Sequence, residues 1–420
     1  MWLDEQHPLG ICPYFEGLDL IFEGNNAINM HVSKRAQIVD DIPVFYDHCL
    51  EWLSEQLGSP NNFKCYRSEL NTFLIWCWDL QEISIRDVTR REMSMFMDWC
   101  AAPGEEWIAT AQHRHFIKIK GESAVAPNAA WRPFVVREGE SLGRKVSAIK
   151  AQLSILNLFF QYLVDMEVLD RNPVRLLMRQ SKYKRMSQPD GTSDMPGKAL
   201  TPSQWRYVRL TTSRLREEDP ERHARTHFLI ALLHSTYCRV SEISARAGFA
   251  PLMSLFRRTR EGYWVFHVPV SKSGKPRDIM VSDVLLDELK CYRLYLGMTP
   301  LPAHGDQDPL LVRHVAGKHG RDKGLVNANL GDRQIRDIVT LVYNEAADQM
   351  ALDGHTLDAA ELREMTVHSL RHTGITHDLE AGRPPEHVMK DSGHSSLDML
   401  SVYIQSSMVS RAESSKNKGI

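Results

Sequence analysis

Two histidines, an arginine and a tyrosine near the C-terminal end are spaced so that they could serve one reaction. His368 and Arg371 are three residues apart, so on a helix they would project from one face and reach one bound group together. His394 follows, and Tyr403 comes nine residues after it. Arginine and histidine side chains can hold an anionic group, and a tyrosine hydroxyl can attack it. The stretch 366–403 therefore predicts a site that binds an anion and attacks it.

Two helices, separated by a short spacer, must position these side chains. The first would carry His368 and Arg371, and the second, with a capping-box-like start at residues 395–398, would carry Tyr403. Apolar residues at helical spacing predict the buried side of each helix. We expect these buried positions to be Leu370, Ile375 and Leu379 on the first helix and Leu397, Leu400 and Ile404 on the second.

Three other side chains upstream have types suited to the same chemistry. Arg239 and Glu242 are three residues apart, which by itself would suit an ordinary surface ion pair. Lys272 lies in a turn between two predicted strands, 263–270 and 278–281. None of these residues alone indicates a function. The indication comes from their order along the chain together with the C-terminal set.

The set resembles the tyrosine recombinases, the family of phage integrases and Xer-like recombinases. His368-x-x-Arg371, then Gly-His at 393–394, then Tyr403 resembles the catalytic C-terminus of that family. Arg239 resembles its first arginine, with Glu242 in the position of its supporting acid. The catalytic residues implied by the resemblance are Arg239, Lys272, His368, Arg371, His394 and Tyr403.

Two positions depart from the pattern of the family. Tyr237 stands where the family usually has a glycine, two residues before Arg239. The lysine of the mobile hairpin has two candidates, Lys272 and Lys275, and Lys272 is preferred as the first lysine of the family's G-K-G-x-K-x-R pattern. Only Gly274 remains of the glycines of that pattern, and it lies one position late.

The resemblance implies a transesterification of a DNA phosphodiester. Arg239 and Arg371 would hold the phosphate with guanidinium groups, which do not lose their proton in proteins. Tyr403 would attack to give a 3′-phosphotyrosine and a free 5′-hydroxyl, with His368 as the base and His394 as a hydrogen-bond donor to the phosphate. Lys272 would protonate the leaving oxygen. We expect no cofactor, because the sequence has no P-loop, HExxH motif or acidic metal cluster.

The predicted fold is mainly α with a small antiparallel β-sheet. It combines a helical, SAM-like core-binding domain with an α+β tyrosine-recombinase catalytic domain. The acidic extension contains five acidic residues and no Lys or Arg before residue 34, which favours a packing or protein-contact role. The predicted division is an acidic extension at 1–38, a helical domain at 39–186 with an irregular insertion at 101–142, a linker at 187–198 and a catalytic domain at 199–420.

A basic segment in the helical domain predicts a surface for DNA. Residues 143–186 contain nine Lys or Arg against three acidic residues, whereas the whole chain has a net charge of -2. A solvated helix face is the alternative. By contrast, Trp76, Trp78 and Trp99 are interpreted as core residues rather than as base-stacking residues. The residues predicted to contact DNA are Arg144, Lys145, Lys150, Arg175, Arg179, Lys182, Lys184, Arg185, Lys275 and Arg277.

The leading hypothesis is a site-specific DNA recombinase or integrase. Its partners would be double-stranded DNA and further copies of the chain, a dimer on each site and a tetramer in synapsis, with companion recombinases or accessory proteins left open. Scattered cysteines, odd in number, and the lack of a signal peptide or a long apolar run predict a cytoplasmic, nucleoid-associated protein with no membrane partner. The alternatives are a monomeric type IB topoisomerase-like enzyme and a catalytically silent DNA-binding accessory protein.

Overall fold

The computed structural model describes residues 11–118, 125–136, 139, 146–179, 199–246, 248–269, 276–317, 323–397, 400 and 403. The chain forms two compact units, Met1–Ser193 and Asp194–Ile420, and each has its own hydrophobic core. Helices predominate, and the largest sheet has three antiparallel strands, so the predicted fold class is confirmed. The predicted linker, 187–198, lies outside the described residues.

The first unit is built from helices that surround a core rich in aromatic side chains. The third helix continues into a π-helical turn at Ile75–Leu80. Trp76 and Trp78 are almost fully buried there, and Trp99 packs against that core, so the prediction of a structural role for the tryptophans is confirmed. The helices are α1 (Asn26–Ala36), α2 (Ile42–Ser54), α3 (Pro60–Leu74), α4 (Arg90–Ala101), α5 (Val146–Asp165) and α6 (Pro173–Met178).

The acidic N-terminal segment is part of the first unit's core from residue 11 onward. Tyr14 and Phe15 are fully buried. The backbone N–H of Tyr14 donates to the side chain of Asn71 at 2.7 Å, and its hydroxyl donates to Asp79 at 2.8 Å. Specific hydrogen bonds of this kind fix the segment against α3 and the π-helical turn, which is a packing role within the same chain.

The insertion between α4 and α5 contains two very small sheets. Strand β1 pairs with β4 in parallel, and β2 pairs with β3 in the antiparallel direction. Sheets this short are stabilised by the surrounding structure rather than by their own hydrogen bonds. The strands are β1 (Ile108–Ala109), β2 (Phe116–Lys118), β3 (Val125–Pro127) and β4 (Phe134–Val135).

The second unit combines eight helices within the described residues with the three-stranded sheet. Among the residues that the structure describes, no helix in either unit is long and apolar enough to cross a membrane. The helices are α7 (Pro202–Glu218), α8 (Pro220–Thr236), α9 (Val240–Ile243), α10 (Asp283–Tyr295), α11 (Asp332–Leu352), α12 (Thr356–Glu364), α13 (Val367–Glu380) and α14 (Pro385–Ser392).

The sheet of the second unit contains the predicted hairpin and one strand that was not predicted. Strands β6 (Trp264–Val268) and β7 (Arg277–Met280) pair with Val268 opposite Arg277, and the turn residues 270–275 lie outside the described residues. Strand β5 (Phe256–Arg258) adds to the other edge of β6. A spacer was expected after α13, but these residues form helix α14, which begins with Pro385. Proline is favoured at the first position of a helix.

Helices α8 and α13 approach each other closely because residue 374 is glycine. A Cβ atom at Gly374 would lie 2.0 Å from the carbonyl oxygen of His234 and 3.0 Å from the ring of Tyr237. Tyr237 is the C-cap of α8 and has the left-handed backbone conformation, with φ of 53°. This close crossing brings the end of α8 against the helix that carries Arg371.

We predict that Gly374→Ala destabilises the second unit by about 3 kcal/mol, because backbone atoms must move apart to accept the methyl group. This corresponds to lowering its Tm by roughly 8 °C, measured by differential scanning calorimetry on the full chain. Gly58→Ala is the control, since a Cβ atom at Gly58 meets nothing within 4 Å. Equal Tm values for the two variants would contradict the close contact.

Candidate active site

Arg239 is held at the start of α9 by the carboxylate of Glu242. One carboxylate oxygen accepts from the backbone N–H of Arg239 at 2.8 Å, and the other accepts from its Nη1 at 3.3 Å. Glu242 is 1% exposed, whereas the Arg239 side chain is 28% exposed. The carboxylate therefore fixes both the backbone and the side chain of Arg239 and leaves part of the guanidinium open to solvent.

Arg277 was predicted to contact DNA, but its side chain is 9% exposed and pairs with Glu242. Both of its terminal nitrogens bind Glu242, at 2.9 and 2.8 Å, and its Nε donates to the carbonyl of Asp391 at 2.9 Å. A buried carboxylate requires a paired cation, which explains why this arginine lies beneath the surface. Burial alone would raise the pKa of Glu242, but the hydrogen bonds and charges of Arg277 and Arg239 outweigh it and lower that pKa.

Arg371 lies almost completely buried on α13, with 2% of its surface exposed. Its Nη1 donates to the carbonyl of Tyr237, and its Nη2 donates to the carbonyl of Ser392 at 2.7 Å. Burial and then the nearby charge of Arg239 lower the pKa of Arg371 to about 10. The two guanidinium groups are therefore close together, and that of Arg371 remains charged at neutral pH.

His394 follows Gly393, whose left-handed conformation ends α14. Its Nδ1 lies 2.9 Å from the hydroxyl of Ser392, and its Nε2 lies 3.4 Å from Nη2 of Arg371. Because the Ser392 hydroxyl donates to the carbonyl of Met389, we assign the ring proton to Nδ1, which leaves Nε2 as an acceptor. Burial and the positive charges around it, that of Arg371 first, lower the pKa of His394 to about 4.

Tyr403 completes the cluster, half buried and in helical conformation. Its ring centroid lies 5.7 Å from that of His394 and 5.1 Å from that of His372, and the His372 ring stacks on it at 29°. Burial raises the pKa of Tyr403, although a hydrogen bond from Arg371 and the charges of both arginines act in the opposite direction. The phenol is consequently protonated at neutral pH.

His368 lies on the solvent side of this cluster. It is exposed, and its ring makes an edge contact with His372 at 4.8 Å. Its charge also contributes to lowering the pKa of His394, so it is close to that residue. His368 and Arg371 thus reach one site from different environments, since Arg371 is buried and His368 is not.

The structure brings five of the six predicted catalytic residues together, namely Arg239, His368, Arg371, His394 and Tyr403. Lys272 and its rival Lys275 lie outside the described residues. The described candidates for DNA contact in the first unit are all exposed: Lys150, Arg175 and Arg179. Also outside the described residues are Arg144, Lys145, Lys182, Lys184 and Arg185.

The last helix differs from its predicted pattern of buried residues at one position. Leu397 was expected in the buried stripe of the last helix, but it is 51% exposed, whereas Leu400 is fully buried. The start predicted for that helix, 395–398, is described only to residue 397, and Ile404 is not described.

His372 was not predicted as a site residue. Its position one helical turn after His368 was the signal that could have identified it.

We predict that His394 stays neutral well below the pH at which an exposed histidine becomes charged. In 13C-histidine NMR, its ring resonances should titrate with a midpoint at about 4 instead of 6.5. A midpoint at 6.5 would contradict the positive surroundings, and His394→Gln identifies the resonance. Since the folded-state pKa is the lower one, this residue's contribution to stability is complete above pH 6.5 and is lost as the pH falls toward 4.

Comparison with known proteins gives the same picture. Residues 212–409 match the model of the phage integrase family. The tyrosine recombinase XerC of Roseiflexus castenholzii (strain DSM 13941 / HLO8) is 24% identical over 273 residues, which cover 63% of this chain and 67% of that protein. A crystal structure of XerH site-specific recombinase, bound to palindromic difH substrate in a post-cleavage complex, aligns with a TM-score of 0.54.

That structure is 14% identical in sequence, and the alignment covers 96% of this chain and 90% of the XerH chain. The likeness to XerH concerns the fold. The family match includes Arg239, His368, Arg371, His394 and Tyr403, the five residues that the structure brings together. On this evidence residues 212–409 form a domain of the phage integrase family.

Proposed function

We propose that this protein is a site-specific DNA recombinase that cleaves and rejoins DNA strands through a 3′-phosphotyrosine intermediate. The observation that carries the proposal is the clustering of Tyr403 with two guanidinium groups, one of them almost fully buried. A cationic pocket beside a hydroxyl nucleophile suits an anionic ester better than a neutral substrate.

The two arginines would hold the scissile phosphate. Attack on a phosphodiester increases negative charge on the non-bridging oxygens, and fixed guanidinium donors stabilise that charge most strongly where water is excluded. Arg371 uses N–H groups on both terminal nitrogens to bind the carbonyls of Tyr237 and Ser392, and so its orientation is set before DNA arrives. Such preorganisation lowers the barrier because little reorganisation remains to be done.

The reaction forms a bond between the Tyr403 oxygen and phosphorus and breaks the bond from phosphorus to the 5′-oxygen. The phenol proton has to leave, and His368 is the proposed base because it is exposed near the site. The 5′-oxygen has to gain a proton, for which Lys272 is the proposed donor. Rejoining reverses these steps and releases Tyr403, so the bond energy is kept in the phosphotyrosine.

His394 would bind the phosphate only after taking up a proton. Its Nδ1–H is engaged by Ser392 and its Nε2 is an acceptor, so the neutral ring has no donor for a phosphate oxygen. Burial and then the surrounding positive charges lower its pKa, and a bound phosphate would offset part of that charge and favour the protonated ring. Both nitrogens would then donate, one to Ser392 and one to DNA.

Double-stranded DNA is the proposed substrate and partner. The XerH recombinase that shares this fold is described in complex with its DNA substrate after cleavage. Exposed Lys150, Arg175 and Arg179 in the first unit would contribute contacts to phosphates, which give affinity without sequence choice. We further propose a dimer on each site and a tetramer in synapsis, because strands can be exchanged only when two sites are held together.

We predict that the protein forms a covalent adduct with nicked suicide duplexes tiled across the DNA that flanks its own gene. The nick lets the short fragment that carries the free 5′-hydroxyl diffuse away, so the phosphotyrosine accumulates and appears as a slower band on a denaturing gel. Tyr403→Phe should form no adduct while retaining DNA affinity, since only the nucleophilic oxygen is lost.

Three outcomes would contradict this proposal. Absence of any adduct with the unmodified protein, at concentrations where it binds the duplex, indicates a silent DNA-binding protein. An adduct that persists in Tyr403→Phe assigns the nucleophile to another residue. Relaxation of supercoiled plasmid at limiting dilution, with no recombinant product, indicates a topoisomerase.

We predict that His372 orients the Tyr403 ring by stacking. His372→Ala should slow adduct formation about tenfold, because a small displacement of a reacting group is costly, whereas His372→Phe should retain most of the rate. Rates are measured in single turnover at saturating duplex. Should Phe be as slow as Ala, a nitrogen of His372 rather than the stacked ring is what the reaction uses.

A further inference from the structure

Tyr237 occupies a backbone conformation that tyrosine rarely adopts. Its φ is 53°, in the left-handed region, which costs a residue other than glycine about 1 kcal/mol or more. The side chain is also 1% exposed, so it is fixed in the core beside Ile375 and Val388. In this conformation its carbonyl accepts a hydrogen bond from Nη1 of Arg371.

The hydroxyl of Tyr237 is joined to a charged network behind the site. It donates to Asp378 and accepts from Nη1 of Arg383 at 2.8 Å. Burial and then the carboxylate of Asp378 raise the pKa of this phenol, so it stays neutral and donates. Arg383 also contacts Asp378 at 3.0 Å and pairs with Asp391 through its Nη2.

Asp391 connects this network with the other arginine of the site. Its backbone carbonyl accepts from Nε of Arg277, whose terminal nitrogens hold Glu242. Glu242 in turn holds Arg239. A continuous series of polar contacts therefore runs from Arg371 through Tyr237, Arg383, Asp391, Arg277 and Glu242 to Arg239.

A second, shorter connection links Arg383 to Arg371 through the end of α14. The residue after Asp391 is Ser392, whose carbonyl accepts from Nη2 of Arg371. Arg383 thus holds both groups that orient Arg371, Tyr237 through its hydroxyl and the end of α14 through the Asp391 carboxylate. Movement of Arg383 would therefore displace the two carbonyl groups that accept hydrogen bonds from the Arg371 guanidinium.

We propose that Tyr237 and Arg383 are positioning residues that set the guanidinium of Arg371 relative to that of Arg239 for DNA cleavage. The inference rests on the proposed function and adds residues to it that touch no DNA. They act through Arg371: the Tyr237 carbonyl receives its Nη1, and the phenol and Arg383 prevent that carbonyl from turning away. A glycine could adopt this left-handed turn without steric cost. Here a tyrosine adopts it, and its buried side chain holds the turn in place.

The test uses the full chain and the nicked duplex that forms the covalent adduct in the assay described above. Tyr237→Phe keeps the ring and the left-handed turn but removes the hydroxyl, and Arg383→Gln removes the charge. Each should slow single-turnover adduct formation at saturating duplex about tenfold, the scale expected from misplacing a catalytic group, and leave the Kd for the duplex within about twofold.

Tyr343→Phe is the matched control, because Tyr343 is equally buried and its hydroxyl has no hydrogen-bond partner within the described part of the chain. It should react at the unmodified rate. Calorimetry on each variant separates loss of fold from loss of rate. If Tyr237→Phe fails to fold, Arg383→Gln, whose side chain is more exposed, carries the test alone.

Coupling to Arg371 distinguishes positioning from a general structural effect. In an Arg371→Lys background, where the carbonyl contacts of the guanidinium are already disrupted, adding Tyr237→Phe should change the rate by less than about twofold. The inference is overturned if Tyr237→Phe and Arg383→Gln react at the unmodified rate, or if their effect is undiminished beside Arg371→Lys. No adduct with the unmodified protein would instead overturn the proposed function itself.

Discussion

The second unit has to hold the guanidinium groups of Arg239 and Arg371 close together although their charges repel each other. Burial, and after it the charge of Arg239, lowers the pKa of Arg371 to about 10. The protein offsets this with the buried carboxylate of Glu242 on one side and the carbonyls of Tyr237 and Ser392 on the other. Glu242 is itself stable in the interior only because Arg277 pairs with it, and breaking such a buried pair typically costs about 3–5 kcal/mol.

The same positive charge determines the state of the other reactive groups. Burial and then this charge lower the pKa of His394 and keep the ring neutral, and the charge moderates the rise in the pKa of Tyr403 that burial causes. Tyr403, the proposed nucleophile, is therefore protonated and hydrogen-bonded to Arg371. In the proposed reaction, a phosphate that enters the cluster would bring negative charge and compete for that guanidinium, which would link binding to activation of Tyr403 electrostatically.

Several features of the site could be predicted because they depend on residue type and spacing. The hairpin was recognised from two apolar strands around a turn, and the cluster of Arg239, Arg371, His394 and Tyr403 from rare residue types in a fixed order. Helix α14 was not recognised, because its eight residues bury few apolar side chains and resemble a polar spacer. Arg277 was predicted to contact DNA, since a basic residue beside a turn gives no sign that it will be needed to balance a buried carboxylate.

The sequence by itself determined which chemical groups are present, their order along the chain and the amphipathic elements that carry them. Only the tertiary structure decided which of them are buried and how they are oriented. Gly374 allows α8 and α13 to cross closely, Tyr237 then adopts a left-handed turn, and its carbonyl meets Arg371 from a residue 134 positions away. Contacts between groups so distant in sequence follow from the packing of whole helices, which local spacing does not encode.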